Sequence, residues 1–416
     1  MNTFNMYIHL LSIVFNLGWI FFTQLCYYYF FNNNKRKNIQ NIANRLSSVN
    51  ILYVKLFQAL CLNKNLISDD INHQLLQFTD NVPWDNNDID YDTIWKVCDE
   101  LKELNLTLDI HNPIKSGMIS LIYHVKDQTN SKQFILKIKR KNIEHKLQLA
   151  FDDVLTIIKM LSHIPFINRF NIQQSIVDSH TMILSQCNFQ TEVSNIITFK
   201  NNCKNLDYVV IPNVNELITI KNPNVILMEY INGETLQNMD PKHYKFYAPL
   251  VVKFGIVTSF FHGITHGDLH MGNILFIHND GLYKIGVLDF GIVYKLKPTI
   301  KEAMFNIISE YDTIEPSKIA EQILLSGMID SPEIINNLPN NKYQDLLDMV
   351  TEIMSEFFSK TKKANQLMIY KFLDKLHSFL KSDDITEFNI KPSSDFIESQ
   401  ISIAMAQGVT NHLIQE

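Results

Sequence analysis

The stretch HGDLHMGNILF, residues 266–276, is the feature of this sequence that most restricts the fold. It places Asp268 five residues before Asn273 and then continues into an apolar run that is typical of a strand. A carboxylate can orient or deprotonate a hydroxyl group, and carboxylate and amide oxygens are ligands that Mg²⁺ accepts. The stretch therefore predicts a turn that leads into a strand and carries the chemistry of phosphoryl transfer.

Composition restricts the class of protein. The chain has 416 residues, of which 46% are hydrophobic and 19% are charged, so we expect a folded protein with a buried core. Its net charge of -6 provides no basic surface, so we expect no nucleic-acid partner. The five cysteines are scattered and include no C-x-x-C pair, which indicates reduced thiols and not a disulfide framework.

Two further stretches, one before and one after HGDLHMGNILF, provide candidate site residues. Two apolar runs, ISLIYHV and QFILKIK at residues 119–125 and 133–139, are separated by a turn-rich segment and predict a β-hairpin. Lys137 lies in the second run, where a lysine can meet the phosphates of a nucleotide. Downstream, VLDFG provides Asp289, which can hold a metal ion. The chain order of Lys137, the stretch HGDLHMGN and Asp289 resembles that of protein kinases.

A zinc site at His266, Asp268 and His270 is the main alternative for the opening stretch. The sequence contains neither the helical H-E-x-x-H form nor a second cluster of ligands. The kinase-like order of the acidic residues and Lys137 therefore favours phosphoryl transfer.

With these residues in place, the chain resembles the ABC1/ADCK/UbiB atypical kinases. Their catalytic motif H-A-D-x-H-P-G-N stands here as HGDLHMGN at residues 266–273. Their hinge is similar to LMEYINGETL at 227–236, and their strand V-x-V-K-V-Q-R is similar to ILKIKR at 135–140. The resemblance covers roughly residues 50–410. It implies an α+β, bilobal protein-kinase-like fold with a small β-rich N-lobe and a helical C-lobe.

The resemblance also implies the residues that bind ATP and Mg²⁺. Asp268 is the implied catalytic residue, and Asn273 and Asp289 are the implied metal ligands. The stretch PIKSGMIS, residues 113–120, takes the place of the family's alanine-rich loop, and its Gly117 allows a positive φ and a closer backbone approach than alanine. The implied ATP-binding residues are Ile114, Lys115, Ser116, Gly117, Met118, Lys137, Glu192 and Glu229.

The amino terminus, residues 1–37, is a predicted membrane anchor. No charged residue occurs before Lys35, and residues 7–31 are long enough, at about 1.5 Å per residue, to cross a ~30 Å hydrocarbon layer. The run KRK at 35–37 favours a single-pass helix with the rest of the chain facing the cytosol. A signal peptide would need a basic n-region and a small-residue cleavage site, whereas a buried helix is opposed only by the length.

Three domains are predicted after the anchor. Residues 38–112 form a helical extension, residues 113–233 form the N-lobe and hinge, and residues 234–416 form the helical C-lobe. In the extension, Lys55 and Gln58 of VKLFQAL are similar to the family's K-x-G-Q signature, which implies an extension that folds over the active site and regulates it. Phe57 stands in place of the glycine, and its bulk would alter this packing.

The helix expected to carry the acidic partner of Lys137 departs from the family. It reads SQCNFQTEVSN at residues 185–195 where the family has E-x-D-x-x-x-E, so Gln186 and Asn188 replace acids. Six residues correspond to about 240° around a helix. We therefore expect Gln186 to face the lysine and Glu192 not to take its place.

Two hypotheses for function remain. The first is a membrane-tethered, ATP- and Mg²⁺-dependent atypical kinase or ATPase that acts at the membrane lipid surface. Its acceptor is a lipid-like small molecule or a protein, and the resemblance implies lipid or isoprenoid-quinone-related metabolism. The second is a nucleotide-binding pseudokinase scaffold with little or no turnover, which the replaced acids at Gln186 and Asn188 favour.

Overall fold

The computed structural model describes residues 3–30, 34–54, 81–110, 112–130, 132–161, 180–309, 314–328, 332–360 and 393–415. The chain divides into two compact units. Unit one comprises Met1–Ile197 and Pro212–Tyr230, and unit two comprises Thr198–Ile211 and Ile231–Glu416. The domain boundaries at residues 37, 112 and 233 stay a prediction. Lys55, Phe57 and Gln58 of the predicted regulatory extension lie outside the described residues.

Helices and strands alternate in the first half of the chain, and the last part of the chain is mostly helical. In chain order they are α1 (Thr3–Phe30), α2 (Lys35–Val49), α3 (Tyr91–Glu103), β1 (Leu106–Leu108), β2 (Lys115–Ser116), β3 (Ser120–Asp127), β4 (Gln133–Lys139), α4 (Ile143–Leu161) and α5 (Phe189–Cys203). Next come β5 (Val209–Val210), α6 (Glu216–Lys221), β6 (Val225–Glu229), α7 (Tyr244–Ile256), β7 (Ile264–His266), β8 (Ile274–Asn279), β9 (Leu282–Val287) and β10 (Val293–Lys295). The last are α8 (Pro298–Ser309), α9 (Pro316–Leu325), α10 (Pro332–Asn336), α11 (Asn340–Lys360) and α12 (Ser394–Gln415).

Unit one is built on an antiparallel sheet with the strand order β1-β3-β4-β6, and β2 also pairs with β3. The predicted hairpin is present as β3 and β4, in a register that places Lys137 opposite Ile122. Alternate side chains bury one face of this sheet against α3, and Leu136 and Ile138 belong to that core. Because strand side chains alternate, Lys137 points to the other face.

The two long helices at the amino terminus belong to unit one. Within the described residues, Leu11–Phe30 of α1 is long and apolar enough to cross a membrane. The helix also contacts α2 and α4, and Arg45 on α2 donates a hydrogen bond from Nη1 to Thr23 Oγ1 at 2.6 Å. On α1 the exposed large apolar side chains include Leu11, Phe15, Trp19, Phe22 and Leu25.

Unit two combines two small sheets with a helical core. The strand order β5-β9-β8 forms one sheet, and β7 pairs with β10 in the other. Strands β8 and β9 are joined by Asp280 and Gly281, whose φ angles of 50° and 80° fit the two-residue turn preferred in hairpins. The helical core gathers side chains from α8, α9, α11 and α12, among them Ile300, Met304, Ile319, Ile323, Leu346, Val350 and Phe396.

The cysteines that the structure describes are free thiols. Cys187 and Cys203 are buried, and burial raises the pKa of each thiol to about 11. A thiol with so high a pKa carries almost no thiolate at neutral pH and is chemically inert. These residues therefore act as small apolar side chains in the core.

Candidate active site

The described site residues of unit one centre on Lys137. Its ammonium group is buried and donates to both carboxylate oxygens of Glu192, at 2.7 Å and 2.9 Å. Glu192 lies in the first turn of α5, where the helix dipole favours a negative charge. Lys137 Nζ also lies 5.4 Å from the ring centroid of Phe189 at the start of α5. The cation and the carboxylate offset each other's cost of burial and hold the lysine in one orientation.

The expectation that Gln186 faces Lys137 is wrong. Gln186 lies in a turn before α5, and the helix begins only at Phe189. Asn188 Oδ1 accepts a hydrogen bond from Thr191 N at 3.1 Å, which is the bond of an N-terminal helix cap. The rotation of about 240° assumed one continuous helix from Gln186 to Glu192. Because the helix starts after Asn188, it presents Glu192 to the strand lysine.

The predicted nucleotide loop, Lys115–Met118, comprises β2 and the first two residues of the turn into β3. Its Gly117 donates from N to Ser120 O at 2.9 Å. Among the described glycines, positive φ occurs at Gly263, Gly281 and Gly327, so the left-handed freedom expected of Gly117 is not used. A Cβ at Gly117 would lie 3.6 Å from Ser120 O, which is an ordinary contact.

The side chains of this loop divide into exposed and buried ones. Ile114, just before the loop, is exposed and Lys115 is half-buried, while Met118 packs into the core beside Phe189. The buried Ser116 hydroxyl donates to Val82 O and accepts from Arg140. Any contact of Ser116 and Met118 with ATP would therefore use their backbone groups, and the ATP-binding role of the loop stays a prediction.

Glu229 ends strand β6 and is exposed. Its Oε2 accepts from Asn213 Nδ2 at 2.7 Å, and its backbone N donates to Asn213 O at 2.8 Å. Tyr230 N, within the segment 227–236 predicted to be the hinge, donates to Gln133 O at the start of β4, at 3.1 Å. The role of Glu229 in ATP binding stays a prediction.

In unit two, residues 267–273 of the stretch HGDLHMGNILF form a tight turn between β7 and β8. Asn273 Nδ2 donates to Asp268 O at 2.9 Å, so the two predicted site residues are held together. His270 accepts from Gly272 N at its Nδ1, at 3.1 Å, and its Nε2 lies 3.9 Å from Asp268 Oδ2. With its nitrogen engaged, the Asn273 amide offers Oδ1 as a ligand.

His266 fixes the base of this turn. Its Nδ1 accepts from Asp268 N at 3.2 Å, and its Nε2 lies 3.2 Å from the carbonyl oxygen of Leu288. A carbonyl only accepts, so the proton is assigned to Nε2. Burial lowers the pKa of His266, against the opposing effects of the Leu288 carbonyl and the Asp268 charge. The neutral ring therefore joins the turn to the residue before Asp289.

Asp289 is exposed and has a φ of 56°, in the left-handed region that few residues other than glycine adopt. Its Oδ1 accepts from Gly291 N at 3.3 Å. The next residue, Phe290, is fully buried, with ring centroids 4.9 Å from Phe199 and 5.1 Å from His266. The buried phenylalanine anchors the chain so that the preceding carboxylate stays at the surface of unit two.

Gly267 is required by close packing against the segment that leads into β10. A Cβ at this position would lie 2.3 Å from Ile292 Cγ2 and 2.7 Å from Tyr294 Cε2. The motif of the ABC1/ADCK/UbiB kinases has alanine at this position, but here Ile292 and Tyr294 occupy the space that its methyl group would need. The close approach is reinforced by a hydrogen bond from Gly267 N to Ile292 O at 2.9 Å.

We expect Gly267→Ala to lower the free energy of unfolding by about 1–3 kcal/mol, because the added methyl group overpacks a site without free volume. Gly117→Ala is the matched control, since its Cβ makes an ordinary contact and its φ is not positive. We expect the control to change stability by less than about 0.5 kcal/mol. Urea denaturation of both variants measures the difference. Equal stability of the two variants would contradict the close packing.

The fold and these two groups of residues define a kinase-like protein. A family model described as the ABC1 atypical kinase-like domain matches residues 99–323, which is more than half of the chain. The chain belongs to the ABC1 atypical kinase-like family. The family resemblance and the α+β kinase-like fold expected from the sequence are thereby confirmed.

Curated relatives support the same family. The chain is 27% identical over 292 residues to the probable protein kinase UbiB of Shewanella sp. (strain MR-4), a match that covers 67% of this chain and 52% of the relative. The probable protein kinase UbiB of Shewanella baltica (strain OS155) is 26% identical over 289 residues, with the same coverage of 67% and 52%. The chain spans about half the length of the curated relatives it matches.

Two solved structures are similar to the chain at lower sequence identity than these relatives. One is the Rv3197–erythromycin complex from Mycobacterium tuberculosis, with a TM-score of 0.40, 12% identity, and coverage of 78% of this chain and 85% of that chain. The other is the Rio2 kinase–ADP/Mg²⁺–phosphoaspartate complex from Chaetomium thermophilum, with a TM-score of 0.30, 15% identity, and coverage of 66% and 74%.

Proposed function

We propose that the chain is an ATP- and Mg²⁺-dependent atypical kinase or ATPase. The observation that carries the proposal is the buried ion pair between Lys137 and Glu192. Kinases use such a lysine, held by a carboxylate on the facing helix, to orient nucleotide phosphates. The alternative, a pseudokinase scaffold, is favoured in the sequence by the replaced acids at Gln186 and Asn188. Because Glu192 supplies the carboxylate, that support is lost and the enzyme is favoured.

The residues of unit two provide the remaining functions of the proposal. Asp268 orients or deprotonates the attacking hydroxyl, and the bond from Asn273 Nδ2 to Asp268 O holds its backbone. In the part of the chain that the structure describes, no group of three or more His, Cys, Asp or Glu residues is placed so that it could hold a metal ion. One carboxylate and one amide oxygen, from Asp289 and Asn273, fit Mg²⁺, which usually keeps water and phosphate oxygens as its other ligands. The ion would neutralise phosphate charge.

We expect Asp289→Asn to weaken ATP binding in the presence of Mg²⁺. Asparagine tolerates the left-handed backbone of this position, so the variant removes the charge without adding strain. Isothermal titration calorimetry with ATP, in Mg²⁺ and in EDTA, tests the expectation. The parent should bind more tightly with Mg²⁺, and the variant should lose most of that gain. Equal binding by the parent in Mg²⁺ and EDTA would overturn the assignment of Asn273 and Asp289 as metal ligands.

The acceptor in the proposal is a lipid-like small molecule or a protein at the membrane lipid surface. The name of the Shewanella relatives, probable protein kinase UbiB, supports kinase activity. A role in lipid or isoprenoid-quinone-related metabolism rests on the family resemblance. Nucleic acid is not expected as a partner, because the net charge is -6.

We further propose that α1 tethers the protein as a single-pass helix with the kinase-like part facing the cytosol. The exposed apolar side chains of α1 and the basic run at residues 35–37 support this arrangement. Thr23 lies seven residues before the end of α1, about 10 Å along the helix axis. Its contact with Arg45 must therefore open, or lie at the lipid headgroups, when α1 spans the bilayer.

We expect the full chain to resist extraction by alkaline carbonate, and a deletion of residues 1–37 to be released, because a spanning helix leaves the bilayer only when the lipid is dissolved. Fractionation of membranes, with detergent as the positive control for release, measures both. Release of the full chain by carbonate would contradict the single pass. Retention on membranes at neutral pH in that case would indicate that α1 lies in the plane of the interface.

A further inference from the structure

Arg140, immediately after β4, hydrogen-bonds to acceptors in two segments of unit one. It is 4% exposed and lies three residues after Lys137 in the sequence. Nε and Nη2 of its guanidinium both donate to Gly117 O, at 3.0 Å and 2.7 Å. Nη2 also donates to Ser116 Oγ at 2.7 Å and to Val82 O at 3.3 Å. Nη1 donates to Pro83 O at 3.0 Å and to Asp88 Oδ2 at 2.9 Å. These acceptors belong to two separate segments of unit one, the loop at 115–118 and residues 82–88.

The second segment is itself well fixed. Asp85 and Asp88 form a capping box around a short 3-10 turn, Asn86–Asp88. Asp88 Oδ1 accepts from Lys146 Nζ on α4 at 2.7 Å, while Oδ2 accepts from Arg140. Val82 N donates to Ser116 O at 2.8 Å, and Ser116 Oγ donates back to Val82 O. The loop is therefore held against residues 82–88 by Arg140 and by direct bonds.

Only arginine provides this combination of donors. Its planar group offers five N–H donors in fixed directions, whereas a lysine ammonium is a single point with three donors on a flexible stem. Desolvation lowers the pKa of Arg140, and the Asp88 carboxylate counteracts the shift. The charge therefore stays in place, and each bond to a carbonyl is stronger than a bond between neutral groups.

We propose that Arg140 is a positioning residue for the nucleotide loop, and that residues 82–88 are thereby part of the nucleotide site. This inference rests on the proposed ATP-binding function. It extends the site beyond the match to the family, which begins at residue 99. Arg140 contacts the backbone oxygen of Gly117 and not the nucleotide itself, so it acts by fixing the loop in the conformation that binds phosphates.

Arg140→Lys in the full chain is the principal test, and Lys146→Gln is the matched control. Both residues bind Asp88, but within the contacts described Lys146 does not reach the loop. We expect Arg140→Lys to raise the Kd for Mg-ATP about tenfold and to speed amide hydrogen exchange at residues 115–120. We expect Lys146→Gln to match the parent in both measurements. Thermal unfolding of each variant shows whether it is folded.

A second variant guards against a failure of Arg140→Lys to fold. Ser116→Ala removes the hydroxyl that joins Arg140 to Val82 and leaves the ion pair with Asp88 intact. We expect the same direction of change, with a Kd about threefold higher and faster exchange in the loop.

The outcomes separate this inference from the proposed function. The inference is supported if the parent binds Mg-ATP tightly, if Arg140→Lys or Ser116→Ala shows weaker binding and faster amide exchange in the loop, and if Lys146→Gln matches the parent. Tight binding by the parent and unchanged affinity in both variants overturns it and leaves the proposed function standing. Equal losses in Lys146→Gln also overturn it, because they would show a general loss of stability. Absence of binding by the folded parent overturns the proposed function, and this inference with it.

Discussion

Replacement of Glu192 by glutamine is expected to destabilise the protein and to slow turnover together. Glu192 is 1% exposed, so the variant leaves the charge of Lys137 buried without a carboxylate. Breaking a buried ion pair from one side costs about 3–5 kcal/mol, and the amide oxygen that remains recovers part of this, so we expect a loss near 3 kcal/mol. The lysine also becomes less well oriented toward phosphate, so we expect kcat to fall about a hundredfold.

Gln186→Glu is the matched control for this experiment. Gln186 lies in the turn before α5, where a new carboxylate does not replace Glu192. We expect this control to keep the parent's kcat and its KM for ATP. Urea denaturation and steady-state kinetics on the three proteins give the comparison. A faster Gln186→Glu variant beside an unchanged Glu192→Gln variant would show that Gln186 is the residue that faces Lys137.

The elements nearest Lys137 could be predicted because their signals are local. The alternation of apolar residues in 119–125 and 133–139, with a polar turn between them, is sufficient to predict the β3–β4 hairpin. The same alternation separates Lys137 from Leu136 and Ile138 on the two faces of the sheet. Asp268 and Asn273 are brought together by a turn of five residues, which is also a local relation.

The alignment with the family motif, which places Gln186 on the helix that faces Lys137, is wrong, although the sequence carries a signal for the true start of α5. Asn188 precedes Thr191 by three residues, the spacing of an N-terminal cap to the amide it accepts from. The family motif has an acid at the position of Asn188, whereas in this chain Asn188 caps the helix. A cap at this position shifts the helix start past Gln186 and leaves Glu192 in the first turn, facing the sheet.

The role of Arg140 could not be predicted from spacing. Its acceptors lie 23 residues away, at Gly117, and 57 residues away, at Pro83, so no local periodicity connects them. The packing of Phe290 against Phe199 is similarly distant in sequence. The requirement for glycine at Gly267 depends on Ile292, which reaches it through the pairing of β7 with β10. These relations follow from tertiary structure alone.

The largest effect on activity is expected for Asp268→Asn. The variant keeps the size of the side chain and removes the carboxylate that orients or accepts the proton of the attacking hydroxyl. Loss of general-base assistance lowers the rate by about 10²–10⁴-fold. Binding of Mg-ATP should stay within a few-fold of the parent, because the proposed contacts of Asp268 are with the hydroxyl and not with the nucleotide. Thermal unfolding near that of the parent would exclude a structural cause.

Single-turnover measurement with γ-labelled ATP, on the full chain in liposomes, tests the central claim most directly. The parent is predicted to transfer or release labelled phosphate in the presence of Mg²⁺, while Asp268→Asn binds ATP and releases about 1% or less in the same time. A parent that binds Mg-ATP but releases no label, at the level of Asp268→Asn, would contradict the assignment as an enzyme and establish the nucleotide-binding scaffold instead.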